Sequence, residues 1–173
     1  MKKEVNTVKN NRLSCEEFCS LYGEIKDSLY RYALYRLGNP ADAEDAVSDA
    51  VLAAWRGIEG LKDVSAFSAW LFAILRNSCN ASIKRTIKER EKLKKAGQDI
   101  SVMSEHGGYE PGSLSKELSE ALGILSDDER EIVILSVVAG LSSKEISDMT
   151  GLTAGSVRSK LSRSLAKMRE FLS

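Results

Sequence analysis

The chain has 173 residues, with 25 Lys and Arg balanced by 25 Asp and Glu, and it is 43% hydrophobic. This length suits one ordinary domain or two small ones, and the hydrophobic fraction excludes a wholly disordered chain. The longest uninterrupted apolar stretch, residues 69–75, is far shorter than the roughly 18 residues that a membrane-spanning helix needs. The polar amino end does not resemble a secretion signal. We therefore expect a cytoplasmic protein.

Apolar residues recur at helical spacing along nearly the whole chain, and no segment alternates as a half-buried strand does. The spacing predicts helices over residues 14–37, 40–57, 65–92, 114–124, 127–139, 143–150 and 154–171. Most of these helices begin at a residue that can cap the first turn, and three of the caps open Ser–x–x–Glu capping boxes. The predicted caps are Ser14, Asn39, Ser65, Ser126, Ser142 and Thr153.

The helical period stops between the third and fourth predicted helices. Residues 96–113 contain several glycines, a proline and the single histidine, His106. Such breakers predict a flexible linker. The predicted fold is therefore all-α, with two small helical domains at 13–95 and 114–173, a linker at 96–113 and a disordered tail at 1–12.

The cysteines form no metal-binding pattern with that one histidine. Cys15 and Cys19 are four residues apart on one predicted helix. We interpret them as small buried side chains in preference to a redox pair. No metal or other cofactor is expected.

The zero net charge conceals strongly charged segments. Residues 76–95 contain eight basic and two acidic side chains, and residues 152–169 contain five basic and none acidic. By contrast, residues 40–63 contain six acids and two bases, and residues 110–131 contain seven acids and two bases. Charge separated in this way indicates two surfaces for a polyanion and others for a different partner.

The carboxy-terminal end has the pattern of a helix-turn-helix, with Gly151 in the turn between two predicted helices. The apolar side of the second helix is predicted to face a core through Val157, Leu161, Leu165, Met168 and Leu172. Its other side has short hydroxyls and long cations, which suit the DNA major groove. The candidates for this contact are Thr153, Ser156, Arg158, Ser159, Lys160, Arg163 and Lys167. The alternative is a solvated basic face on an ordinary bundle helix.

Two amino-terminal helices carry the other candidate surfaces. On the helix after Pro40, small residues form one stripe, and acidic residues lie on another face. We interpret that face as solvated or partner-binding in preference to metal-binding. The next helix begins with aromatic residues and continues with a stripe of amide and cationic side chains, a pattern that is typical of single-stranded nucleic acid binding. A core Trp and Phe followed by a solubilising tail explain the same pattern equally well.

Three segments resemble the extracytoplasmic-function (ECF) group of bacterial RNA polymerase sigma factors. DAEDAV at 42–47, continuing to Trp55, resembles the family's polymerase-binding helix, and AWLFAILRN at 69–77 resembles its −10-reading helix. The segment 125–172, especially GLSSKEI at 140–146 and GSVRSKLSR at 155–163, resembles its −35-binding domain. The chain departs from the family's usual residues at Ala81 and Ser82, next to the −10-reading segment.

The resemblance implies a non-enzymatic factor that binds core RNA polymerase, recognises −10 and −35 elements and promotes DNA melting. It places the polymerase partner at the clamp helices of the largest subunit and at the flap, and it implies an anti-sigma factor. The residues that it assigns to core polymerase are Asp42, Glu44, Asp45, Ser48 and Asp49. Those that it assigns to −10 DNA are Phe67, Trp70, Arg76, Asn77, Asn80, Lys84, Arg85 and Lys88.

Three other classes of protein compete with this interpretation. A free-standing helix-turn-helix regulator leaves the acidic helix and the aromatic–cationic helix unexplained. A metal-dependent hydrolase built on Asp42, Asp45 and Asp49 lacks histidine or cysteine partners. A purely protein-binding adaptor is disfavoured by the basic second helix of the helix-turn-helix.

Overall fold

The computed structural model describes residues 13–97 and 116–173, which form seven α-helices and no strand. The helices are α1 (Cys15–Leu37), α2 (Pro40–Arg56), α3 (Phe67–Lys95), α4 (Lys116–Gly123), α5 (Asp127–Val137), α6 (Ser143–Thr150) and α7 (Ala154–Leu172). Two short 3-10 turns, Ile58–Gly60 and Val64–Ala66, join α2 to α3. The predicted all-α class is confirmed. The predicted tail at 1–12 and nearly all of the predicted linker at 96–113 lie outside the described residues.

The three predicted capping boxes are present. Ser14 Oγ accepts a hydrogen bond from the Glu17 backbone N–H at 3.2 Å, and the Glu17 carboxylate accepts one from the Ser14 N–H at 2.8 Å. The same reciprocal pair starts α5 at Ser126 and α6 at Ser142. These bonds satisfy backbone donors that a helix start leaves without an intrahelical acceptor, so each box fixes where its helix begins.

The predicted cap at Ser65 is wrong. α3 begins two residues later at Phe67, and no side chain caps it. Asp63 acts instead, because its carboxylate accepts the Ser65 backbone N–H at 2.9 Å and starts the short turn Val64–Ala66. This bond also holds the pKa of Asp63 below its ordinary value.

The amino-terminal half, α1 to α3, is a bundle in which each helix packs on the other two. The predicted small-residue stripe of α2 faces inward, with Ala43 and Ala54 fully buried. Side chains of this size let neighbouring helices approach closely, so the stripe determines the tight packing of the bundle. At one end, the Phe18 ring meets Trp55 and Phe67 edge-on, each at a centroid distance of 5.3 Å.

The carboxy-terminal half packs α4, α5 and α6 against α7. The buried stripe of α7 runs through Val157, Ser164 and Met168. The prediction that Leu165 and Leu172 face the core is wrong, because they are 37% and 52% exposed. At 100° per residue they lie at the edge of the stripe, and Ser164 occupies the opposite edge. Its hydroxyl is satisfied by donating to the Lys160 carbonyl at 2.8 Å.

The two halves share a core. One cluster of buried side chains includes Leu29 on α1, Leu75 on α3, and Ile134 and Leu135 on α5. Helices α1 and α5 are in direct contact. The sequence predicted two domains and a linker, but nothing in its pattern predicted this contact.

Across residues 13–97 and 116–173, no helix combines the length and the apolarity required to cross a bilayer.

Candidate nucleic-acid interface

The helix-turn-helix is formed as predicted. α6 ends at Gly151, whose φ of +77° is the left-handed conformation that glycine adopts without strain. Within the turn, the Gly151 N–H donates to the Ser147 carbonyl at 2.9 Å, and the Ser147 hydroxyl donates to the Leu152 carbonyl. Thr153 then caps α7 by accepting the Ser156 N–H at 3.1 Å. This network fixes the direction in which α7 leaves the turn.

The candidate −35 residues lie along the outer face of α7, and the structure brings them together. Six of the seven are exposed and Lys160 is half-buried. Arg158 and Arg163 flank Ser159 and Ser162 on a shallow concave surface. The row therefore combines hydroxyls that permit close approach with guanidiniums that can pair with phosphate or guanine.

Two of the cations in this row are already paired. The Lys167 ammonium lies 2.7 Å from a Glu129 carboxylate oxygen, and the Lys160 ammonium lies 3.8 Å from Asp128. The bond from Lys167 lowers the pKa of Glu129. Within the described residues no ion pair holds an arginine of α7, so Arg158 and Arg163 are the cations of the candidate row most available to DNA.

The candidate −10 residues on α3 fall into two groups. The aromatic end belongs to the protein interior, because Phe67 is only 3% exposed and Trp70 is half-buried against it. Four polar and cationic residues further along the helix are exposed. They are Asn77, Lys84, Arg85 and Lys88. The rings therefore build the core and the cations face solvent, as the alternative interpretation of this helix expected, and the contact with single-stranded nucleic acid stays a prediction.

The remaining two −10 candidates, Arg76 and Asn80, contact protein groups. Arg76 forms two hydrogen bonds with Glu131 of α5, at 2.9 and 3.1 Å, and a third with the Met149 carbonyl at 3.3 Å. Asn80 accepts a hydrogen bond from Arg36 at 2.9 Å. These contacts keep both side chains partly buried, unlike their exposed neighbours on α3.

The candidate polymerase-binding residues on α2 are all exposed, namely Asp42, Glu44, Asp45, Ser48 and Asp49. They lie opposite the buried alanine stripe. In the described ranges, no three His, Cys, Asp or Glu side chains come together as a metal site would require. The face is therefore a strip of negative charge that suits a cationic protein partner and repels DNA.

The sequence did not predict one polar cluster, which we call the Glu131 cluster and which consists of Tyr32, Arg36, Arg76, Asn80 and Glu131. Glu131 is 6% exposed and Tyr32 is fully buried. The sequence did contain an indication of this cluster, because Glu131 occupies a core position three residues before Ile134 on α5. An acid at such a position needs buried partners.

The environment of the cluster shifts several pKa values. Burial, followed by the charge of Glu131, raises the pKa of Tyr32. Burial lowers the pKa of Arg76, but its bonds to Glu131 outweigh this and leave the pKa above its ordinary value. Burial raises the pKa of the nearby Cys79 thiol to about 12. At neutral pH the Tyr32 phenol and the Cys79 thiol are therefore neutral, and the Arg76 guanidinium is charged.

The interpretation of Cys15 and Cys19 as buried side chains is wrong, because both are exposed on the outer side of α1. Cys15 is the first residue of α1. The side-chain hydrogen bond that Cys19 shares with Cys15 raises the pKa of Cys19. Cys79 is the buried one of the three.

Two family models match the chain: sigma-70 region 2 over residues 21–88 and sigma-70 region 4 over residues 115–168. The ECF RNA polymerase sigma factor SigL of Mycobacterium tuberculosis is 30% identical over 152 residues, which cover 87% of this chain and 85% of that protein. The chain belongs to the ECF group of the sigma-70 family.

Other relatives agree with this assignment. The ECF sigma factor EcfG of Rhodopseudomonas palustris is 28% identical over 145 residues, covering 84% of this chain and 79% of that protein. The structure of the sigma factor RpoE in complex with the anti-sigma factor NepR, from Bartonella quintana, superposes with a TM-score of 0.72 at 28% identity. It covers 91% of this chain and 97% of that one. The chain is thus a promoter-recognising sigma factor for transcription initiation and not an enzyme, which sets the hydrolase alternative aside.

Proposed function

We propose that this sigma factor joins core RNA polymerase in the cytoplasm and directs it to promoters through two separate DNA contacts. The observation that carries this proposal is the helix-turn-helix, whose second helix presents an exposed row of hydroxyls and of guanidiniums that no acid among the described residues holds. The proposed DNA-binding domains are residues 13–95 and 114–173, with the segment 96–113 between them.

In the proposed −35 contact, α7 lies in the major groove. Arg158 and Arg163 pair with phosphates or guanine edges, and Ser156 and Ser159 approach the backbone closely. A single Arg–guanine pair contributes ~1–3 kcal/mol of discrimination between bases. Lys160 and Lys167 assist after exchanging Asp128 and Glu129 for phosphate.

In the proposed −10 contact, the exposed residues Asn77, Lys84, Arg85 and Lys88 hold the unpaired non-template strand. The half-buried Trp70 supplies the edge of a stacking platform, and Phe67 supports it from the core. Arg76 and Asn80 reach DNA only after leaving the Glu131 cluster. The acidic face of α2 binds the cationic clamp helices of polymerase, and the carboxy-terminal half binds the flap.

Energetics support a polymerase-dependent role. Opening about a dozen base pairs at ~1.4 kcal/mol per step costs on the order of 17 kcal/mol. Two or three captured bases at ~1–3 kcal/mol each return about 2–9 kcal/mol, which falls well short of that cost. Because Phe67 is buried, the free chain has fewer aromatic rings available for stacking bases than its sequence suggests. The rest of the melting energy must come from contacts made by the assembled holoenzyme.

An anti-sigma factor is the second proposed protein partner. The sigma factor RpoE of Bartonella quintana has been solved with NepR, and the sigma factor CnrH, 23% identical to this chain, with the cytosolic domain of CnrY. The exposed acidic strip of α2 is a surface that such a protein could cover, since doing so would block the polymerase.

In-vitro transcription tests this function directly. Core polymerase and the purified chain are combined with a pool of genomic promoter fragments, and start sites are mapped by sequencing. We expect new start sites that share −10 and −35 elements, with none when either protein is omitted. A chain that binds duplex DNA tightly by itself but directs no start sites would be a free-standing helix-turn-helix regulator, and the proposal would be wrong.

A further inference from the structure

The two exposed thiols of the chain lie next to each other on α1. Cys15 is the first residue of the helix, Cys19 follows about one turn later, and both side chains are exposed to solvent. Residues four apart on a helix lie on the same face, so these two side chains are neighbours. They share a side-chain hydrogen bond, which brings the two sulfurs into contact. The start of α1 therefore presents a dithiol to solvent.

The helical geometry of this dithiol is fixed by its surroundings. The capping box of Ser14 and Glu17, with hydrogen bonds of 2.8 and 3.2 Å, starts α1 immediately before Cys15. Phe18 is only 4% exposed and packs edge-on against two other rings, which anchors the same turn in the core. A ligand that binds an arrangement already in place has little conformational entropy to overcome.

A disulfide fits the spacing of this pair poorly. Residues four apart on a helix have Cβ atoms about 5–6 Å apart, whereas a disulfide needs a Cβ separation of about 3.5–4.5 Å. Closing that gap would distort the first turn of α1 and its capping box. An atom bound between the two sulfurs spans more than the direct S–S bond of about 2 Å. The pair therefore suits a bridging ligand better than oxidation.

The bridging ligand must be satisfied by two thiols of this chain. A structural Zn²⁺ site is almost always tetrahedral with protein ligands at every position. Within residues 13–97 and 116–173, however, no third His, Cys, Asp or Glu joins the pair as such a site would require. The remaining cysteine, Cys79, is buried. Trivalent arsenic is thiophilic and three-coordinate, so two sulfurs and one non-protein group complete its shell.

We propose that Cys15 and Cys19 form a bidentate binding site for trivalent arsenicals, with arsenous acid as the simplest ligand. Each thiol exchanges with one hydroxyl of the acid: two As–O and two S–H bonds break, and two As–S and two O–H bonds form. Two water molecules leave, the third hydroxyl stays on arsenic, and no atom is oxidised or reduced. No residue assigned above to polymerase or DNA belongs to this site, so the site does not depend on the proposed function.

The protonation of the pair also favours this ligand. The hydrogen bond shared with Cys15 raises the pKa of Cys19, so this thiol keeps its proton at neutral pH. A divalent metal ion must displace the proton into solvent before it binds the sulfur. Arsenous acid instead takes up the proton in the water that departs. The exchange therefore starts from the protonated dithiol that the structure presents.

The test measures binding of arsenous acid to the purified full-length chain by non-denaturing mass spectrometry. We expect one arsenic per wild-type chain. The matched variant Cys19→Ser/Ser20→Cys keeps every thiol but moves one of them from about 40° to about 140° around the helix from Cys15. Position 20 is exposed, so the fold should be unaffected. Affinity should fall roughly a hundredfold, because the second bond no longer forms within one chain. Equal affinities would overturn the site.

X-ray absorption at the arsenic edge tests the wild-type complex without relying on any variant. The spectrum should show two sulfur neighbours and one oxygen neighbour. Three sulfurs would mean that Cys79 or a second chain supplies a ligand, and one sulfur would mean that no bridge forms. Either result would contradict the bidentate site, as would arsenic bound with wild-type affinity by Cys15→Ser/Cys19→Ser.

Discussion

The salt dependence of promoter binding should distinguish the free cations of α7 from the paired ones. We consider the double variant Arg158→Ala/Arg163→Ala, which removes two exposed guanidiniums that no acid holds. Each neutralised phosphate contributes about 0.9 to the slope of log affinity against log salt. A fourfold rise in salt therefore weakens binding about 3.5-fold per contact, and the loss of two contacts should lower the slope by about 1.8.

The matched variant is Lys160→Ala/Lys167→Ala. Lys167 lies 2.7 Å from Glu129, so its charge is already compensated before DNA arrives. Binding exchanges one anion for another and releases fewer counterions. We expect this variant to change the slope less than half as much as the arginine variant, although both remove two positive charges.

The assay is fluorescence anisotropy of a labelled promoter duplex titrated with reconstituted holoenzyme at several salt concentrations. An unchanged slope in Arg158→Ala/Arg163→Ala would show that α7 does not contact phosphate at these residues. Equal losses in the two variants would preserve the DNA contact but refute the argument that Glu129 and Asp128 compensate the lysines.

Three further outcomes follow from other parts of the molecule. Asp45→Lys/Asp49→Lys should reduce affinity for core polymerase at least about tenfold in a pull-down, since it places like charges against a cationic partner. The pKa of Cys79, about 12 in the folded chain against 9.0 ordinarily, means that the native state keeps a proton that the unfolded chain releases. The free energy of unfolding should therefore fall by ~1.4 kcal/mol per pH unit above pH ~9, relative to Cys79→Ala in urea titrations. Gly151→Ala should cost about 1–2 kcal/mol of stability through backbone strain alone, because no atom lies within 4 Å of the added Cβ.

Each of these has a control within the chain. Glu24→Lys/Asp27→Lys makes the same charge change at two exposed sites of α1 and should leave polymerase affinity unchanged. Parallel pH profiles of the wild type and Cys79→Ala would show that the thiol is not buried in solution. Gly155→Ala, at an ordinary helical position of α7, should stabilise by up to about 1 kcal/mol. If Gly155→Ala lost as much stability as Gly151→Ala, the cost at Gly151 could not be assigned to its left-handed conformation.

The helices were predictable because their signals are local. Capping boxes at Ser14, Ser126 and Ser142 and the apolar period identify starts and buried faces without knowledge of the rest of the fold. Ser65 shows the limit, since Asp63 accepts its backbone N–H and starts a short 3-10 turn, so that α3 begins two residues later at Phe67. Leu165 shows another, because its exposure depends on which neighbours cover α7 and not on its hydropathy.

The candidate site was only partly predictable for a related reason. The exposure of Arg158 and of the acidic face of α2 follows from helical spacing within a single helix. The pairing of Lys167 with Glu129, and of Arg76 with Glu131, joins residues 38 and 55 positions apart. The periodicity of a single sequence does not show which acidic residue pairs with which distant basic residue. Runs of charge therefore predict a charged surface, but not the ion pairs that form within it.

The length of α3 has a mechanical consequence. Its first turns are fixed in the bundle core, whereas residues 84–95 are exposed throughout. With a rise of 1.5 Å per residue, those twelve positions form an overhanging arm about 18 Å long. A tilt of about 10° at its root displaces the tip by about 3 Å over that arm. A small change in tilt at the base of this arm therefore produces a larger displacement of the lysines at its end.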